Sequence, residues 1–146
     1  MANEAVIISL YGSPEGEPVR FSVNDAVGIE KGTLMMISGS ATGRYAIASS
    51  DAAIGNPPVS FAGIAATEKV ANDGSTTLGL WTKGVFDLKM TSGGDGICNA
   101  GEMLELSGAN QVRRVLPGSS LSGGVIVGKA LEAGSASEVI NVKLGI

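Results

Sequence analysis

The apolar residues of this chain fall in short runs, each bounded by a cluster of Gly, Pro, Asn, Asp or Ser. Such clusters favour turns, and short runs spaced roughly 8–12 residues apart are typical of strands in a sandwich or barrel. Period-two alternation is clearest in residues 138–144, where Ile140, Val142 and Leu144 share one parity. The pattern predicts eleven strands, at residues 5–11, 19–23, 33–38, 44–48, 59–66, 76–82, 85–89, 102–106, 111–116, 124–131 and 138–144.

Helical patterning is weak along the whole chain. No window keeps apolar residues at the i, i+3, i+4, i+7 spacing for three turns without an intervening glycine. Residues 65–71 and 99–106 allow a short helix as an alternative. With 146 residues, the usual size of one domain, we expect a single all-β fold, either a small β-barrel or a β-sandwich.

The sequence also contains an internal echo, which is the signature of a repeated unit. Residues 28–39 resemble residues 96–108 with a one-residue offset, and residues 61–65 (FAGIA) resemble residues 126–130 (IVGKA). Each half closes on a strand that runs into glycine, LWTKGV in the first and NVKLGI in the second. We predict two pseudo-repeated halves that share one core, because a few strands alone are marginally stable. Chance similarity between Gly-rich β segments is the alternative.

The first 18 residues differ from the rest of the chain. The β-prone run 5–11 is followed by residues 12–18, GSPEGEP, which contain two glycines and two prolines. A strand on such a linker can pair with the sheet edge of a partner instead of joining its own core. We therefore divide the chain into an extended N-terminal arm with its linker, residues 1–18, and a β-rich body, residues 19–146.

Composition removes several classes of function. The net charge is −4 and only 10 Lys and Arg are present, so nucleic acid is not an expected partner. The apolar runs are too short to cross a bilayer, so we expect no membrane association. There is no histidine, which rules out Ser-His-Asp and Cys-His catalysis and His-based zinc sites. The single cysteine, Cys98, reads as a packed, idle thiol of a protein made in a reducing cytoplasm. We expect no enzyme activity, no cofactor and no metal.

Two patterns imitate catalytic or binding motifs. Residues 123–130 match Gly-x4-Gly-Lys, but an alanine follows where a phosphate loop needs a hydroxyl, and Val-Ile-Val between the glycines favours a strand. Glu102 with Glu105, or Asp87 with Asp95, could form the carboxylate pair of a glycosidase. The first pair has opposite parity on a strand, and the chain is poor in stacking aromatics, so surface charge is the preferred interpretation.

The glycine-bounded strands together resemble a known family. The features are Gly-x-x-x-Gly at 28–32, directly before an apolar strand, Gly-Ile-Ala at 63–65, Ala-Gly-Glu at the start of a second such strand at 100–102, and Val-Gly-Lys-Ala-Leu at 127–131. Over roughly residues 20–146 they resemble the head decoration, or capsid cement, proteins of tailed bacteriophages, which are similar in fold to the lambda-type decoration protein. Proteins of this family are small β-rich domains that commonly trimerise on the outside of the mature head and stabilise it. Their N-terminal arm typically pairs with strands of the major capsid protein.

The resemblance implies a non-catalytic virion protein that binds the outer surface of the capsid. Its partners would be the major capsid protein and two further copies in a homotrimer, and it would be synthesised in the bacterial host cytoplasm and located on the capsid exterior. The arm residues expected to bind the capsid are Val6, Ile7, Ile8, Leu10 and Tyr11. Residues expected in the core or at a subunit interface are Trp81, Phe61 and Phe86. The alternatives are another virion β domain, from a tail or baseplate, and a small carbohydrate-binding β module.

Overall fold

The structure, a computed structural model, describes residues 4–9, 18–38, 45–49, 59–115 and 126–144. Each of its eleven strands overlaps a predicted run, so the all-β prediction is confirmed, and neither segment considered as a short helix is helical. A single 3-10 turn, Gly94–Gly96, is the other regular element of these residues. The strands are β1 Val6–Ser9, β2 Val19–Ser22, β3 Leu34–Ser38, β4 Ala46–Ala48, β5 Val59–Ala65, β6 Thr77–Trp81, β7 Gly84–Met90, β8 Met103–Gly108, β9 Gln111–Arg114, β10 Ile126–Ala130 and β11 Val139–Leu144.

The strands form two sheets with the same internal order. One sheet runs β2-β6-β5-β3-β4, and the other runs β7-β11-β10-β8-β9 with β1 added beside β7. In the second sheet β7 and β9 pair in parallel at Lys89 and Gln111, which closes five strands into a barrel. In the first sheet a parallel bridge between Ser22 and Tyr45 joins β2 to β4 at the equivalent place. We call β2–β6 the first barrel and β7–β11 the second barrel.

Main-chain hydrogen bonds repeat between the two barrels. Gly32 N donates to Ala65 O at 2.9 Å, and Gly101 N donates to Ala130 O at 2.8 Å. Gly32 and Gly101 both adopt positive φ, 91° and 92°, where glycine is favoured. The predicted two halves are thus confirmed. Gly32 is therefore equivalent to Gly101, and Gly28 is equivalent to Ile97. This equivalence accounts for the one-residue offset seen in the sequence.

The buried apolar residues form two clusters, which differs from the expectation of one shared core: one cluster lies within the first barrel, and the other combines the inside of the second barrel with residues of the first. Inward-facing side chains fill a closed five-stranded barrel of this size, so each half buries its own set. The buried residues of the first barrel's cluster are Phe21, Val23, Ile29, Met35, Ala46, Ala48, Ala62, Ala65, Leu78 and Leu80. Those that the second barrel supplies to the other cluster are Phe86, Leu88, Met90, Cys98, Leu104, Leu106, Val112, Val127, Ala130, Ile140, Val142 and Leu144.

The outer face of the first barrel joins the two barrels. Its side chains either belong to the second barrel's cluster or pack against it, and they are Leu34, Met36, Ile47, Phe61, Ile64 and Trp81. The residues at equivalent register in the second barrel are, in the same order, Met103, Glu105, Arg113, Ile126, Lys129 and Lys143. The face buried between the barrels is therefore apolar, whereas its counterpart is mostly charged, as burial requires.

Asn110 fastens the two barrels through polar contacts. It lies in the turn between β8 and β9 with φ 57° and is 1% exposed. Its Oδ1 accepts a hydrogen bond from Leu34 N at 2.9 Å, and its own N–H donates to Ser49 Oγ at 3.0 Å. These bonds satisfy main-chain and side-chain groups that the barrel contact removes from water.

Candidate interaction edge

Strand β1 completes the edge of the chain's own second sheet. It runs antiparallel to β7, with Val6 opposite Asp87 and Ile7 opposite Phe86. Ahead of the strand, Ala5 N donates to Gly32 O of the first barrel at 2.7 Å. This differs from an arm lying wholly outside the body. Strand β9 pairs only with the C-terminal end of β7, at Lys89 and Met90. Without β1, the N-terminal part of β7 would therefore have unpaired main-chain groups.

The outer edge of β1 stays open from Ile7 onward in the part of the chain that the structure describes. The main-chain N–H of Met90 donates to Glu138 O, so the main-chain groups of Met90 point toward β11. Main-chain groups alternate along a strand, so those of Leu88 and Phe86 also point toward β11, and those of Asp87 point to the other side. The main-chain groups of Asp87 therefore point toward β1, where Asp87 pairs with Val6. The main-chain groups of Ile7 consequently point to the outer side, where no described strand lies.

The side chains of this edge are partly exposed and apolar. Val6 is 56% exposed and Ile7 is 38% exposed. An edge strand with unpaired main-chain groups and exposed apolar side chains is a template for pairing with another chain. The side chain of Ile8 and the whole of Leu10 and Tyr11 lie outside the described residues, so their assignment to a capsid-binding arm stays a prediction.

The three aromatic residues singled out in the sequence lie at or beside the contact between the barrels. Phe86 is buried in the second barrel's cluster, and Phe61 and Trp81 are half-buried and pack against that cluster. All three therefore have core contacts within the chain. Their placement at a subunit interface stays a prediction.

Three of the four carboxylates considered for catalysis make structural contacts within the described residues. Asp87 accepts a hydrogen bond from the Asn141 side-chain amide. Glu105 is 1% exposed and accepts a hydrogen bond from Arg113 Nε at 2.6 Å. Glu102 accepts a bond from the main-chain N–H three residues earlier at 2.7 Å. These contacts hold strands and turns together.

The segment that resembles a phosphate loop is a strand where it is described. Ile126–Ala130 forms β10, paired with both β8 and β11. Gly128 lies so close to the next strand that an added Cβ would be 2.0 Å from Lys143 O. This backbone is extended and committed to the sheet, so it does not form a phosphate-cradling turn. Residues 123–125 lie outside the described part of the chain.

Cys98 is a free, buried cysteine, as the sequence predicts. Burial raises the pKa of its thiol, which disfavours the reactive thiolate. Within the described ranges, no three His, Cys, Asp or Glu side chains lie close enough together to hold a metal ion. Nor do those ranges include a helix with the length and apolar character needed to cross a membrane.

Comparison with known proteins gave no relationship to draw on. No protein-family model matches the chain, and no curated protein or solved structure matches it.

Proposed function

We propose that this chain is a non-catalytic structural protein that binds the outer surface of a tailed-bacteriophage capsid and stabilises the mature head. The family resemblance supports this proposal, and so does the placement of its motifs. Gly32 and Gly101 lie in equivalent turns just before strands β3 and β8. Gly63 and Gly128 lie within equivalent strands, and each is close to a main-chain carbonyl of the neighbouring strand. The observation that carries the proposal is the open outer edge of β1.

Pairing of this edge with a strand of the major capsid protein would extend the second sheet by one strand. Main-chain hydrogen bonds supply affinity in this mode of recognition, and side chains of alternating parity supply specificity. Because β7 already orders β1, the capsid strand meets a preformed edge, and less conformational entropy is lost than with a free arm. Many copies on a regular shell add avidity to each weak contact.

The remaining properties of the chain are compatible with the exterior of a capsid. A net charge of −4 and a low content of aromatic residues limit nonspecific adhesion between particles. In this proposal the protein is synthesised in the bacterial cytoplasm, associates as a homotrimer, and occupies three-fold positions on the head. A carbohydrate-binding module is less favoured, because Trp81 and Phe61 pack between the barrels and are not displayed as a stacking platform.

Substitution of Ile7 by Pro tests the edge. Proline at residue 7 removes the outward N–H of β1 and keeps the inward bonds of Val6, since edge strands tolerate proline where the N–H faces solvent. We expect binding to expanded capsid shells that lack their decoration protein to fall by roughly tenfold or more, because one main-chain bond is lost and the ring obstructs the incoming strand. Co-sedimentation of purified protein with the shells measures this.

Ile7→Ala is the matched control, because it shortens the side chain and keeps the N–H. Circular dichroism and urea unfolding verify that both variants fold. Equal binding by Ile7→Pro and Ile7→Ala would remove the edge from the mechanism, and failure of the wild-type protein to bind shells would overturn the proposed function itself.

A further inference from the structure

The two barrels use equivalent strands differently. In the second barrel Phe86 of β7 lies opposite Val142, and in the first barrel Val19 of β2 lies opposite the equivalent residue, Leu80. Arg20 therefore occupies the position of Asp87. On β7 this position is covered by β1, whereas on β2 no described strand pairs with the stretch that contains Arg20.

The main-chain groups of Arg20 point toward this open edge. Val23 N donates to Thr76 O at 2.9 Å, which places Val23 among the residues that face β6. By the antiparallel alternation Val19 also faces β6, and Arg20 faces away from it. Pro18 at the start of the edge has no N–H, so the edge offers carbonyl acceptors at both positions and one donor at Arg20.

A groove lies over β2 and the neighbouring strand β6, on the paired side of β2. It has a volume of about 290 Å³, and its lining residues include Pro18, Arg20, Thr67, Thr77 and Gly79. At the equivalent position of the second barrel, Asn141 stands in place of Gly79, and its side-chain amide donates to Asp87. A charged, exposed arginine, Arg20, stands at the border of this groove.

We infer that the β2 edge is a second strand-docking site, and that its occupant is an extended acidic segment of the major capsid protein. This inference rests on the proposed function. The equivalent edge of β7 accepts an antiparallel strand, β1, which shows the kind of segment that this geometry fits. In that pair Val6 lies opposite Asp87, which carries a carboxylate. On a strand docked at the β2 edge, the residue equivalent to Val6 would lie opposite Arg20, which carries a guanidinium.

A carboxylate on the docked strand is the matching side chain. Opposite charges directly across an antiparallel pair stabilise it, and like charges destabilise it. Arg20 has no ion pair with the described residues, so its charge is available to a partner. Together with β1, this edge gives each copy two points of attachment, whose combined affinity exceeds that of either alone.

Charge reversal at Arg20 tests the inference on the full-length chain. We expect Arg20→Glu to bind expanded shells about tenfold more weakly than the wild-type protein, with the difference shrinking at high salt. Arg20→Lys, the matched control, keeps both the charge and the N–H and should bind nearly as well as wild type. Hydrogen exchange should show slower exchange of the Arg20 amide on shells than in free protein.

The outcomes separate the two claims. Wild-type binding that Arg20→Glu leaves unchanged would overturn this inference alone, and absence of wild-type binding would overturn the proposed function as well. Self-association of the free chain that Arg20→Glu abolishes would identify a second copy as the occupant and overturn the assignment to the shell.

Discussion

Replacement of Lys69 by Met is expected to lower the free energy of unfolding by about 3 kcal/mol. Lys69 is 3% exposed, which is unusual for a lysine. Its Nζ donates to three main-chain carbonyls: Asp25 O at 2.8 Å, Val27 O at 3.2 Å and Val70 O at 3.3 Å. Methionine has a similar length and no charge, so these carbonyls would lose the ammonium group that donates to them.

Two carboxylates complete the surroundings of the ammonium group. Asp25 Oδ1 and Asp73 Oδ1 each lie 3.6 Å from Lys69 Nζ. The main-chain N–H of Ser75, and further the charge of Lys69, hold the pKa of Asp73 below its ordinary value. A depressed carboxyl pKa stabilises the fold above the unfolded-state pKa, and that contribution is lost as pH falls through the folded-state pKa. Lys69 thus links the loop after β2 to the loop before β6.

Urea unfolding followed by the fluorescence of Trp81, the single tryptophan, measures the effect. Lys83→Met is the matched control, because Lys83 is exposed and the same change there should alter stability by no more than about 0.5 kcal/mol. If Lys69→Met were as stable as Lys83→Met, the lysine would contribute nothing beyond an ordinary surface residue.

Replacement of Gly128 by Ala is expected to destabilise the fold by about 3 kcal/mol, at the upper end of the usual effect of overpacking. The added Cβ would stand 2.0 Å from Lys143 O and 2.9 Å from the carbon that carries it. Both atoms belong to main chain paired in the sheet, so the contact can be relieved only if β10 and β11 separate. The equivalent glycine of the first barrel, Gly63, has the same close contact, with Trp81 O at 2.6 Å.

Gly94→Ala is the control for this second substitution. A Cβ at Gly94 meets no atom within 4 Å, so its effect should stay within about 0.5 kcal/mol. Thermal or urea unfolding of the two variants under the same conditions compares them directly. Equal stability of Gly128→Ala and Gly94→Ala would show that the strands separate easily and that the close approach is not a constraint.

The strands could be predicted because their signals are local. Turn residues and period-two alternation act within a few positions, and Val139–Leu144 follows its predicted alternation with Ile140, Val142 and Leu144 buried. The repeat was also readable, because equivalent turns need equivalent glycines. The pairing order of the strands was not predictable in this way, since register between distant strands depends on packing that no local pattern records.

Lys69 and Arg20 show the same limit for individual side chains. Lys69 lies in a polar stretch and looks like a surface residue, yet carbonyls from a loop more than 40 positions earlier surround it. Arg20 became notable only when β2 was aligned with β7, which required the structure. The same holds for β1: its sequence predicts an exposed strand, but the vacancy on β7 that it fills is a property of the folded sheet.

A cryo-EM map of expanded capsid shells incubated with the purified chain tests the central claim most directly. We expect density on the outer surface in which a capsid strand lies beside Ile7 of β1, about 4.8 Å away as in any sheet. A map in which the chain is bound with the outer edge of β1 facing solvent, or in which the shell carries no copy of it, would contradict the account.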